Sequence, residues 1–118
     1  MAAGPQNGTI VIVGRQTGRV FRPSIYCSDV AGALVTFGLA AKATSTDPNY
    51  WTAPENCNLV DLSLTADLTD CKTLQIAREG NPTGDYLLTT QQVYSVTTRA
   101  LMNVMIARGI RLQIYQRA

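Results

Sequence analysis

Leu59-Val60-Asp61-Leu62-Ser63-Leu64-Thr65-Ala66 alternates apolar and polar side chains with a period of two. In an extended chain that period sends Val60, Leu62, Leu64 and Ala66 to one face and Asp61, Ser63 and Thr65 to the other. The stretch therefore predicts a half-buried β-strand. The composition around it agrees: fourteen threonines, with many valines and isoleucines, supply β-branched side chains that fit a pleated surface.

Upstream, Thr9-Ile10-Val11-Ile12-Val13 is apolar on both faces and fenced by Gly8 and Gly14. It predicts either a central strand of a covered sheet or an edge strand that a neighbour must cap. Residues 1–8 offer little to bury and are expected to form a flexible arm. Gly14-Arg15-Gln16-Thr17-Gly18 reads as a turn. Arg19-Val20-Phe21-Arg22 and Ile25-Tyr26-Cys27 read as strands interrupted by Pro23, which belongs at an edge or a bend. Val30 to Ala41 is apolar, and Gly32 and Gly38 favour strand over helix. Thr44 to Asn49 is a loop, and the single tryptophan beside it, Trp51, is expected to plug one end of the core.

Downstream, Asp67-Leu68-Thr69-Asp70 turns the chain into Lys72–Arg78. A turn signal over Glu79–Asp85 then leads into Tyr86-Leu87-Leu88, as in a hairpin. Thr98 to Ala107 carries Ala100, Leu101, Val104 and Met105 at helical spacing, with Gly109 as a stop, yet an extended reading fits as well. The β character of the remainder favours extended. The last element has Ile110, Leu112 and Ile114 on one face and Arg111, Gln113, Tyr115 and Arg117 on the other. Around eight short strands in 118 residues predict an all-β chain with a single-domain β-sandwich over residues 9–118. The expected outline is jelly-roll-like, with at most one short helix.

The chemistry is sparse. With no histidine, Ser-His and Cys-His nucleophile pairs are excluded. Asp61 with Asp67 or Asp70 is the only candidate carboxylate pair, and these acids read better as turn-forming and solvent-facing groups. Glycines 80 and 84 flank a proline-containing turn and precede no helix, so no phosphate loop is formed. Three cysteines, Cys27, Cys57 and Cys71, lack metal-ligand spacing and read as buried thiols of a protein made in a reducing compartment. The expectation is a protein with no enzymatic activity, no cofactor, no metal and no small-molecule substrate. The first residues lack the pattern of a signal peptide, and no stretch is apolar for long enough to cross a bilayer as a helix.

Charge is low, at 15% of residues, and unevenly placed. Residues 1–46 carry +3, residues 47–85 carry −5 and residues 86–118 carry +4, for a net +2. Arginine outnumbers lysine eight to two, and its planar fork suits interfaces. These features favour assembly: Ile10, Val11, Ile12 and Val13, with Arg15, Arg19 and Arg22, form the candidate interface. A second surface, Tyr50 and Trp51 with Arg111, Gln113, Tyr115 and Arg117, could serve a small β-domain that binds nucleic acid or carbohydrate. The small net charge and the acidic middle argue against nucleic acid as the main partner.

Ala53-Pro54-Glu55-Asn56-Cys57-Asn58-Leu59-Val60-Asp61-Leu62-Ser63-Leu64, Leu74 to Gly84, and Arg108-Gly109-Ile110-Arg111-Leu112-Gln113-Ile114 carry a resemblance across residues 53–118. They resemble a strand entry, a central hairpin and a closing strand of small β-sandwich or jelly-roll proteins of viral particles, notably phage capsid decoration and vertex proteins. The resemblance implies a virion structural protein made in the host cytoplasm. Its implied partners are copies of itself, as a trimer or pentamer, and other capsid proteins. It carries no catalytic residue across.

Overall fold

The computed structural model describes residues 5–38, 48–65, 68, 70–71, 73–78, 87–89 and 100–118. Among these the chain is all-β, with nine strands in two antiparallel sheets and no helix. Among the described residues no helix is long and apolar enough to cross a membrane.

The first sheet is built on β1 (Gln6–Gly14). One side of β1 pairs with β5 (Cys57–Leu64), which pairs in turn with β8 (Ala100–Ile106). The other side pairs with β3 (Ser24–Cys27) at Gln6–Thr9 and with β2 (Val20–Phe21) at Ile12–Val13. Pro23 sits at the break between β2 and β3, where its missing N–H costs the ladder nothing. Its carbonyl still accepts from Ile10 N at 3.1 Å.

With partners on both sides, β1 is central, which explains a strand that is apolar on both faces. It begins at Gln6, inside the segment expected to be a flexible arm, so that expectation is corrected for residues 6–8; residues 1–4 lie outside the described residues. At Gly8 a Cβ would collide with the Ser63 carbonyl and the Leu64 side chain, so glycine lets β1 and β5 approach here.

The alternation that predicted β5 holds at both ends of the strand and slips in the middle. Val11 pairs with Asp61 and Ile12 with Leu59, leaving Val60 as an extra residue, and the register with β8 shifts at the same place. A bulge of this kind lets two consecutive side chains share one opposing position. Cys57, Leu59, Leu62 and Leu64 therefore fill the core, while Val60 is only half-buried. The assignment of Val60 to the core face is thus corrected in favour of Leu59, and Ala66 lies outside the described residues.

The second sheet runs β4 (Trp51–Thr52), β9 (Arg111–Arg117), β6 (Thr73–Arg78), β7 (Leu87–Thr89). β6 and β7 pair as the expected hairpin partners, Leu74 opposite Leu88; the turn between them lies outside the described residues. Of the stretch Thr98 to Ala107, Ala100–Ile106 is strand and pairs with β5 from Cys57↔Ile106 to Leu62↔Ala100; residues 98 and 99 lie outside the described residues. β8 leads to β9 through a turn closed by Ile110 N donating to Ala107 O at 3.1 Å, with Gly109 at φ 84°. That left-handed position is what glycine supplies without strain.

Residues 32–37 do not form the strand expected for Val30–Ala41. They make two isolated bridges instead, one to each sheet: Thr36 with Tyr26 beside β3, and Leu34 with Tyr115 beside β9. Gly32 N and Val35 N donate to the carbonyls of Gln116 and Ile114, while Gln116 N donates back to Ala33 O. This strap ties one edge of the first sheet to the second. Residues 39–47 lie outside the described residues.

Both sheets supply one apolar core. Ile10, Ile12, Ile25, Leu59, Leu62, Leu64 and Ile106 come from the first, and Leu74, Ile76, Leu112 and Ile114 from the second. One polar node stands at its border. Gln116, fully buried on β9, accepts from Asp29 N at 2.6 Å and donates from Nε2 to Ser28 Oγ at 3.1 Å. The buried Asp29 carboxylate accepts from Asp70 N and Cys71 N, both at 3.0 Å. A buried carboxylate is tolerated where donors surround it, and here it fixes the chain leading into β6.

Candidate functional site

Strand register creates the most distinctive surface. Gly14, Cys57 and Ile106 share one cross-strand row at the end of β1, the start of β5 and the end of β8. Residues just beyond that row must therefore meet. Arg15 N donates to Asn56 O and Arg108 N donates to Asn56 Oδ1, each at 2.9 Å, so one asparagine holds both arginine backbones. Gly109 N donates to Ala53 O at 2.9 Å, joining the β8–β9 turn to the same loop. Thr52 pairs with Arg111 at the first position of β9. Arg15, Arg19, Arg108 and Arg111 are all exposed at this end.

Its acid is Glu55. Its carboxylate accepts from Thr17 Oγ1 at 2.6 Å and forms an ion pair with Arg19 at 3.6 Å. The pair is exposed on the arginine side and contributes little to stability, but it occupies Glu55. The Cys57 thiol beneath this end is pushed up by burial, and further by the Glu55 charge, against a smaller opposing effect of Arg15.

Aromatic rings border the arginines. Arg19 lies 5.0 Å from the centre of the Phe21 ring, and Phe21 meets Trp51 edge-to-face at 5.6 Å. Trp51 packs against the core from the rim, so its ring serves packing first. Tyr50 takes the opposite side, and its ring lies 4.5 Å from the Arg111 guanidinium. Further along β9, Arg117 lies 4.7 Å from the Tyr115 ring and donates from Nε to Gln75 Oε1 at 3.1 Å. These stacks satisfy cation and ring together and hold the guanidinium planes in place.

The predicted residues thus separate. Arg15, Arg19 and Arg111, expected on different surfaces, converge at one end. Arg22 is exposed beside the Pro23 break. Tyr50, Arg111, Tyr115 and Arg117 lie on the outer face of the second sheet, while Gln113 on that face is largely covered. Ile10 and Ile12 are fully buried in the core, which corrects their assignment to an interface; Val11 and Val13 point to the other face and are half-buried. Arg108, Asn56 and Phe21 were missed. Arg108 stands beside Gly109 in the β8–β9 turn, and only the register of β8 on β5 shows that this turn meets the β1–β2 hairpin.

The outer face of the first sheet has a different character. Val20, Val13, Asn58 and Met105 are directly paired in sequence across β2, β1, β5 and β8 and form one row. Val20 is 46% exposed and Met105 64% exposed. Asn58 donates from Nδ2 to Asn103 Oδ1 at 2.9 Å within this face. Asp61, opposite Val11, is the one acidic or basic side chain among the described residues of β1, β5 and β8.

All three cysteines are buried and unbridged. Comparison with protein-family models, with curated proteins and with solved structures finds no match.

Proposed function

We propose that the chain is a non-enzymatic structural subunit of a viral particle, a capsid or decoration protein that joins copies of itself and other capsid proteins through its surface. In this reading the two sheets form a β-sandwich of jelly-roll-like outline, made in the host cytoplasm and carried in the virion. The observation that carries the reading is the Val20–Val13–Asn58–Met105 row, which crosses four strands of a charge-poor face. A row of apolar groups with one amide, on a charge-poor face, suits contact with another protein surface better than chemistry on a substrate.

The residues ahead of β1 would add an arm to that contact. Removing residues 1–13 cannot test it, because Gln6–Val13 belong to the central strand. Removing residues 1–5 leaves every β1 pairing in place and is the clean deletion.

The test is the native mass of the protein at micromolar concentration, beside Val20→Lys/Met105→Lys. The expected result is a closed oligomer, a trimer or pentamer, that falls to a monomer in the double variant while its circular dichroism is unchanged. A monomeric wild-type protein, or an oligomer indifferent to two lysines in the row, overturns the proposal.

A further inference from the structure

We infer that the arginine-bearing end of the molecule, with the two arginine–tyrosine stacks of β9, is a binding site for the phosphate backbone of single-stranded nucleic acid. This goes beyond the assembly reading and rests on different residues. Four arginines converge there from the β1–β2 turn, the β8–β9 turn and the start of β9. Arg19 is engaged with Glu55 and Arg111 with Tyr50, whereas Arg15 and Arg108 make no ion pair or ring contact with a described residue.

A guanidinium fork matches two phosphate oxygens at once, which makes arginine the cation for this ligand. The two uncommitted arginines are not loosely displayed. Asn56 holds both backbones through hydrogen bonds of 2.9 Å, and the Gly109–Ala53 bond fixes the turn that carries Arg108. Ordering cost on binding is then confined to the side chains themselves.

Among the described residues, the acids that argued against a nucleic acid do not gather at this end; Asp47, Asp67, Glu79 and Asp85 lie outside the described residues. Of the four described acids, Asp29 is buried, Asp70 adjoins it, and Asp61 lies on the outer face of the first sheet. Glu55 alone is local, and Thr17 and Arg19 already occupy it.

The outer face of β9 separates a nucleic acid from an acidic peptide as the occupant. Arg111 over Tyr50 and Arg117 over Tyr115 place two guanidinium–ring stacks six residues of β9 apart, on either side of the covered Gln113. That spacing is about 20 Å at the rise of a strand. Unpaired bases stack on such planes while phosphates follow the cations. A glutamate-rich peptide would use the charges and leave the rings without a role.

The experiment is fluorescence anisotropy of the full chain with a labelled ~20-nucleotide oligo(dT) or oligo(U) across a salt series, with poly-L-glutamate as competitor. Four phosphate contacts predict a log–log salt slope of about −3. Arg15→Gln/Arg108→Gln should halve that slope and weaken binding at least tenfold, and Tyr50→Leu should weaken it several-fold with the slope unchanged. Circular dichroism checks that each variant is folded, which is expected for the exposed Arg15 and Arg108 and for the half-buried Tyr50 outside the strands. Absence of binding by the wild-type protein, binding indifferent to salt or to the double variant, or displacement by poly-L-glutamate at equal charge overturns the inference. Loss of the Tyr50 effect alone also overturns it, because the site would then be a generic anion patch.

Discussion

The bulge in β5 makes a sharp prediction, because a regular strand would exchange the roles of two neighbouring residues. Leu59 is 0% exposed and surrounded by core side chains, whereas Val60 is half-buried. Leu59→Ala removes three fully buried carbons. At about 0.8 kcal/mol each, plus a cavity that close packing leaves only partly filled, the cost is about 3 kcal/mol. Val60→Ala removes two carbons that are already partly hydrated, at a cost of about 0.8 kcal/mol. Urea unfolding followed by tryptophan fluorescence reads the difference. Trp51 packs against the same core, and with a slope of about 1.5 kcal/mol/M the Leu59 variant should unfold roughly 2 M earlier than wild type. The Val60 variant should move by about 0.5 M. Equal costs, or a larger cost at Val60, would mean that Asp61 and its neighbours alternate without interruption and that the bulge does not exist.

Gln116→Leu removes the acceptor of the Asp29 N–H and the donor to Ser28, a loss of about 2–3 kcal/mol that should lower Tm by roughly 10 °C. A Tm within a degree or two of wild type would show that the node does not hold the chain. The Cys27 thiol is pushed up from 9.0 to about 12 by burial first, then by Cys71 and Asp29. Its folded value lies above its unfolded one, so its contribution to stability is intact below pH 9 and is lost progressively between pH 9 and 12. Between pH 8 and pH 10.5 this amounts to about 2 kcal/mol of unfolding free energy. Cys27→Ala should lose correspondingly less over the same interval, and equal losses in the two proteins would refute the assignment.

Local pattern reports what a residue does within its own strand, and that part of the fold was legible. Pro23 marked an edge because a missing N–H has few places to go, and the β6–β7 hairpin was marked by its turn residues. The face of β9 was read correctly, since Leu112 and Ile114 do turn inward while Arg111 and Arg117 turn out. The bulge was not legible. Leu59 and Val60 are adjacent apolar residues, either can face inward, and the choice depends on the registers of β1 and β8 on opposite sides of β5. The strap over 32–37 escaped for a related reason: its bonds go to the edges of two different sheets, and apolar content alone cannot distinguish that from a strand.

The arginine end shows why charge read along a sequence differs from charge in space. Arg15 and Arg19 belong to the basic first segment and Arg108 and Arg111 to the basic last one, with the acidic segment between them. Antiparallel pairing of β1 and β8 on either side of β5 brings the first and last segments together at the row Gly14–Cys57–Ile106. β5 itself belongs to the acidic segment, yet it enters this end through Ala53-Pro54-Glu55-Asn56, which brings one acid and one asparagine. The acid is matched locally by Arg19, and the asparagine binds the backbone of Arg15 and Arg108 without neutralising either side chain. Among the described residues, charges far apart in sequence therefore become a concentrated positive end, through hydrogen bonds that organise the arginines while leaving their charge available.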